Sequence, residues 1–106
     1  MKYVLAYYGG GMGGTEAEQA AIMQEWMGWF GGLGSALADG GLPFSGAVSN
    51  IRPDGSHKDG PIGEKVTGYS ILEADSLDAA TELARGCPVL KSGGSIAVYE
   101  TIPMGG

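Results

Sequence analysis

Few side chains in this sequence could move a proton. His57 is the only histidine, and Asp59 follows two residues later in the run RPDGSHKDGPIGEK, residues 52–65. An imidazole near a carboxylate suits general acid and base work, which makes His57 and Asp59 the candidate catalytic residues. Their setting speaks for a plainer role. Two Asp-Gly pairs and two prolines make the run a turn-rich loop, where a lone histidine is ordinarily solvated. Cys87, the single cysteine, stands before Pro88 at what reads as a helix end. The negative end of the helix dipole raises a thiol pKa there, so an inert packed side chain is expected. One cysteine makes no internal disulfide and no His/Cys cluster has zinc spacing, so no metal is expected.

A second chemical signal is YYGGGMGGTE, residues 7–16, which carries G-x-G-x-x-G at Gly9, Gly11 and Gly14. In a dinucleotide fold such glycines let the backbone approach a pyrophosphate at a helix N-terminus. The context differs here. Gly14 lies ahead of the Thr15 cap instead of inside the helix, and the first acid beyond the helix, Asp39, precedes the second strand instead of closing it. The chain is also too short for two βαβαβ halves, so no nicotinamide, flavin or other cofactor is expected. What remains is a glycine loop before a helix whose first N–H groups are free to hold a ligand's carboxylate or phosphate.

Aromatic residues supply the third signal. Trp26 and Trp29 sit three apart on one helix, Trp26 on its apolar stripe and Trp29 on the flank. Tyr69 occupies a strand position where its hydroxyl is a polar handle in an apolar setting. With Tyr7, at the head of the glycine stretch, these residues are the candidates for ligand binding. Core filling is the alternative role for Trp26, and a dimer contact is the alternative for Trp29.

The elements that must position these groups follow from pattern. Lys2 to Tyr8 is a continuous apolar, β-prone run and reads as a buried strand. Thr15 with Glu18 forms a capping box that opens a helix running to about Ala38. Met23, Trp26, Phe30, Leu33 and Leu37 recur at spacings of three or four and mark its buried stripe. Gly28, Gly31, Gly32 and Gly34 cost roughly 1 kcal/mol each in a helix, so packing must hold it, with a glycine face open to a close backbone. After Asp39-Gly40-Gly41, Phe44 to Ile51 is the expected second strand and Arg52 to Lys65 a loop. Val66 to Ala74 is the third strand. Asp75 or Ser76 caps a second helix whose Ala80, Leu83, Ala84 and Cys87 share a face, stopped by Gly86 and Pro88. Ser95 to Ile102 is the last strand.

The order is β-α-β-β-α-β, an α+β, ferredoxin-like arrangement with both helices on one side of an antiparallel sheet. Residues 1–106 form one domain. The other sheet face, bearing Tyr69, Ile71, Val98 and Tyr99, is an apolar patch that sheet-on-sheet packing in a homodimer would cover. Six Lys and Arg against twelve Asp and Glu give a formal charge of −6, which disfavours nucleic acid and anionic membrane as partners. No segment approaches the ~20 apolar residues of a membrane span, and the N-terminal apolar run is too short for a signal peptide. The cytoplasm is the expected location.

The stretches DGP at 59–61, GYSI at 68–71, EADS at 73–76, the Ala84 to Pro88 helix end and Gly93-Gly94 together resemble the YCII-related, or DGPF, family of small bacterial proteins. Tyr3-Val4-Leu5 and Trp26-x-x-Trp29-Phe30 extend the resemblance over nearly the whole chain. It implies a dimeric α/β barrel of two ferredoxin-like subunits. Some branches of that family are thought to use a His/Asp pair, as in elimination of HX from a halogenated ring. By spacing, the His position falls on Trp26 and the Asp position on Cys87, so neither group is present. The reading reached is a small dimeric protein that binds an apolar or aromatic metabolite in a cavity. The alternatives are a non-catalytic interaction or regulatory module, and a lyase or isomerase with a non-standard acid/base group.

Overall fold

The chain runs β1 (Lys2–Tyr8), α1 (Glu16–Leu33), β2 (Leu37–Asp39), β3 (Ser49–Ile51), β4 (His57–Asp59), β5 (Val66–Glu73), α2 (Leu77–Ala84) and β6 (Ser95–Glu100). The structure is a computed structural model that describes residues 1–10 and 14–104. Four strands form one antiparallel sheet in the order β2-β5-β1-β6, and β3 pairs with β4 in a separate ribbon. Apart from that ribbon the order is β-α-β-β-α-β, the ferredoxin-like arrangement.

Strand pleating sorts the side chains. Tyr3, Leu5 and Tyr7 of the inner strand β1 point to one face and are buried, opposite Leu72, Ser70 and Gly68 of β5. Leu5, Tyr7 and Leu72 join Ala84, Cys87 and Val89 in the core, with Ile96 and Val98 packed against them. Val98 therefore lies on the helix side, because it pairs with Leu5 and its neighbour Tyr99 takes the opposite face. The face away from the helices carries Val4, Tyr8, Tyr69, Ile71 and Tyr99, the last of them 55% exposed.

Other expectations are corrected too. The first helix stops at Leu33, where Gly34 turns to φ 55°, and Leu37, four residues on, starts β2 instead of a further helical turn. The second strand of the sheet is thus Leu37–Asp39 and not Phe44 to Ile51. Most of that segment is irregular. Its end, Ser49–Ile51, pairs with His57–Asp59 across a turn in which Asp54 accepts from the N–H and hydroxyl of Ser56. Finally, no residue of α1 is fully buried, and Met23 of its supposed buried stripe is about half exposed. Its glycines at 28, 31 and 32 face open space, so no backbone of this chain approaches them.

Candidate functional site

A cleft opens between α1 and the sheet, at the end of β1 where the chain leaves toward the glycine loop. Its floor begins with Tyr7. The Tyr7 hydroxyl lies 2.7 Å from Ser70 Oγ, and the Ser70 hydroxyl donates to the carbonyl of Gly40 at 2.7 Å. Tyr7 and Ser70 come from neighbouring strands and Gly40 follows β2, so this chain of bonds ties three sheet elements together. Burial pushes the Tyr7 pKa above its ordinary range, outweighing the opposing hydrogen bond with Ser70.

The roof is aromatic. Trp26 meets Tyr7 edge-on at 5.2 Å between ring centroids, and Phe30 lies 5.7 Å from Trp26. Met23 and Met27 extend this apolar wall along α1. The opposite wall is residues 40–44, pressed against β5. Gly41 has φ +74°, and a Cβ there would overlap the Tyr69 carbonyl oxygen, so only glycine fits. Pro43 bridges to Gly68, the Phe44 N–H donates to the Thr67 carbonyl, and the Phe44 and Tyr69 rings lie 6.0 Å apart. The cleft holds about 380 Å³.

At the mouth, Gly9 and Gly10 take φ of +68° and +73° and pack beside Gly94 and Val89. The Thr67 hydroxyl lies 3.1 Å from the carbonyls of both Tyr7 and Gly9, which pins the start of the glycine loop. Gly11 lies outside the described residues. Gly14 is described and precedes the helix cap. The Glu18 N–H donates to Thr15 Oγ1 at 3.1 Å, and the Glu18 carboxylate accepts from the Gly14 N–H at 3.3 Å. Of the first N–H groups of α1, that of Glu18 is therefore taken by the Thr15 hydroxyl, and the Glu18 carboxylate sits just ahead of the cap on Gly14.

Of the residues singled out by sequence, Tyr7 and Trp26 lie on the cleft, and Tyr69, whose side chain takes the other sheet face, borders it where its carbonyl meets Gly41. Trp29 does not line it. Its indole N–H donates to the Leu83 carbonyl at 3.2 Å, and the ring covers Gly86, where a Cβ would come within 3.2 Å. Trp29 thus fastens α1 to the end of α2. His57 and Asp59 are exposed on β4, outside the cleft. Cys87 is buried, and burial pushes its thiol up to about 11, although the Tyr7 hydroxyl and the Val89 N–H pull the other way. The positions that the sequence resemblance assigns to a proton-transfer pair, Trp26 and Cys87, therefore both adjoin Tyr7. Sequence reasoning missed Ser70, Thr67 and the 40–44 wall. The Asp39-Gly40-Gly41 break was their only visible signal.

Among the described residues no group of acidic, histidine and cysteine side chains could hold a metal ion, and no helix is long and apolar enough to cross a membrane. The YCII-related domain model matches residues 1–105. No curated protein matches the chain. Among solved structures it is similar to 5-chloro-2-hydroxyhydroquinone dehydrochlorinase from Burkholderia phenoliruptrix, in complex with 2,5-dihydroxybenzoquinone. The TM-score is 0.59 and the identity 18%, covering 99% of this chain and 96% of that one. At that identity the likeness is one of fold.

Proposed function

The chain belongs to the YCII-related domain family, and on that premise we propose that it binds a small apolar or aromatic metabolite in the cleft beneath α1. One observation carries this reading. A cleft of about 380 Å³, the size of a small-molecule site, is walled by aromatic and thioether side chains around the buried Tyr7. The dehydrochlorinase neighbour lends support to an elimination reaction as the alternative. Such chemistry needs a group that exchanges protons near neutral pH. Tyr7 lines this floor and Cys87 adjoins it, and burial raises both away from that range, which favours binding over catalysis.

The same proposal makes the protein a cytoplasmic homodimer. Supporting it are the apolar sheet face of Val4, Tyr8, Ile71 and Tyr99 and the lone buried thiol of Cys87. Light scattering after gel filtration reads the subunit number, and a monomer at micromolar concentration removes that part. For the cleft, the test is tryptophan fluorescence and melting temperature against a panel of neutral substituted benzenes, phenols and indoles. A saturable change is expected for some members, lost on Trp26→Ala. A panel that moves neither signal at millimolar concentration contradicts the reading.

A further inference from the structure

The cleft floor restricts the charge and polarity of what it holds, an inference that rests on the binding reading above. Consider where each hydroxyl proton goes. The Gly40 carbonyl can only accept, so the single proton of Ser70 is committed to it at 2.7 Å. Ser70 then has no proton for Tyr7, and the 2.7 Å contact between the two requires the Tyr7 proton to point at Ser70. Tyr7 is left with lone pairs alone. Burial keeps its proton in place well past neutral pH, so this ordering holds throughout the physiological range. The Thr67 hydroxyl is likewise taken up by the carbonyls of Tyr7 and Gly9. Cys87, a weak donor beside Tyr7, does not line the cleft, and the remaining lining hydroxyls, those of Tyr69 and Ser92, belong to its wall and mouth and not to the floor.

Charge points the same way. The lining contributes no Lys, Arg or His from α1, β5, the 40–44 wall or the Val89–Ser92 turn. A carboxylate moved into such a site loses its hydration without gaining a cation, inside a protein of formal charge −6. We propose that the cleft selects uncharged aromatic ligands that bring their own donor, a phenolic O–H or an indole-type N–H, to the Tyr7 oxygen, and that it rejects aromatic carboxylates.

Three ligands of one shape test this by calorimetry at pH 7: 4-ethylphenol, ethylbenzene and 4-ethylbenzoate. The phenol keeps its proton at that pH. One added hydrogen bond predicts that 4-ethylphenol binds about tenfold tighter than ethylbenzene, with 4-ethylbenzoate the weakest. In Tyr7→Phe the preference for the phenol disappears while ethylbenzene affinity stays within about twofold. Benzoate binding as tightly as the phenol overturns the inference yet leaves the cleft reading standing. So does a phenol preference that survives Tyr7→Phe. If none of the three binds, the cleft reading fails and this inference with it. The ranking on the unmodified protein decides even where Tyr7→Phe does not fold.

Discussion

The two helices cover the same sheet face in opposite ways. α2 is eight residues long and buries Ala80 and Ala84, so its backbone lies close on β6 and β1. α1 is 18 residues long and buries none of them. The distance between packed elements is set by the side chains at the contact, and α1 presents Trp26 and Trp29 where the buried residues of α2 are alanines. Below them the sheet offers Gly68, which cannot fill the gap. Propped on rings and fastened by Trp29 to the end of α2, α1 leaves the space that becomes the cleft. Small side chains close a layer, and large ones at a few points hold it open.

Several substitutions break or sharpen this contrast. The largest effect is expected at the cleft wall. Gly41→Ala places a methyl against the Tyr69 carbonyl at a left-handed φ, and should cost on the order of 3 kcal/mol in urea unfolding. A loss near zero means the 40–44 segment does not press on β5. Next comes the contrast between the helices. Ala84→Leu overfills the tight layer and should cost about 1–3 kcal/mol. Met27→Ala, on a residue 66% exposed, should change stability by less than about 0.5 kcal/mol. The reverse order would mean that α1 is the packed helix.

The smallest effect is a pH slope. Folding raises the Cys87 thiol from its ordinary 9.0 to about 11, so the folded chain keeps a proton that the unfolded chain releases. Its contribution to stability is complete below pH 9 and declines as pH rises toward about 11. Urea midpoints measured between pH 9 and 10 should fall less steeply in Cys87→Ala than in the parent. Equal slopes in the two proteins mean that the thiol is hydrated in the folded state.

Local signals read correctly wherever one physical cause dominates. Lys2–Tyr8 is apolar throughout and formed a strand, and Thr15 and Ser76 accept from backbone N–H groups as caps. The errors arose where two periodicities coincide. Leu33 and Leu37 are spaced as successive helical turns, yet Gly34 breaks the helix between them and Leu37 enters the sheet. His57–Asp59 has no strand propensity and pairs only because the Asp54 turn returns it beside Ser49–Ile51. The site was half visible for a similar reason. Tyr7, Trp26 and Tyr69 stand out as bulky aromatics, whereas Ser70 and Gly41 matter through a proton's direction and a carbonyl's position. Neither of those leaves a mark in composition.

The two tryptophans supply the most direct test of the central claim, that the space under α1 is a ligand site. Trp26 borders the cleft, and Trp29, three residues away, is bonded to Leu83 outside it. Their indole N–H signals can be followed separately by nitrogen-proton correlation spectroscopy during titration with 4-ethylphenol, assigned by Trp29→Phe. The account predicts that the Trp26 signal shifts saturably while that of Trp29 moves little. A Trp26 signal that stays fixed while the hairpin resonances of His57 and Asp59 shift would place the ligand elsewhere and contradict it.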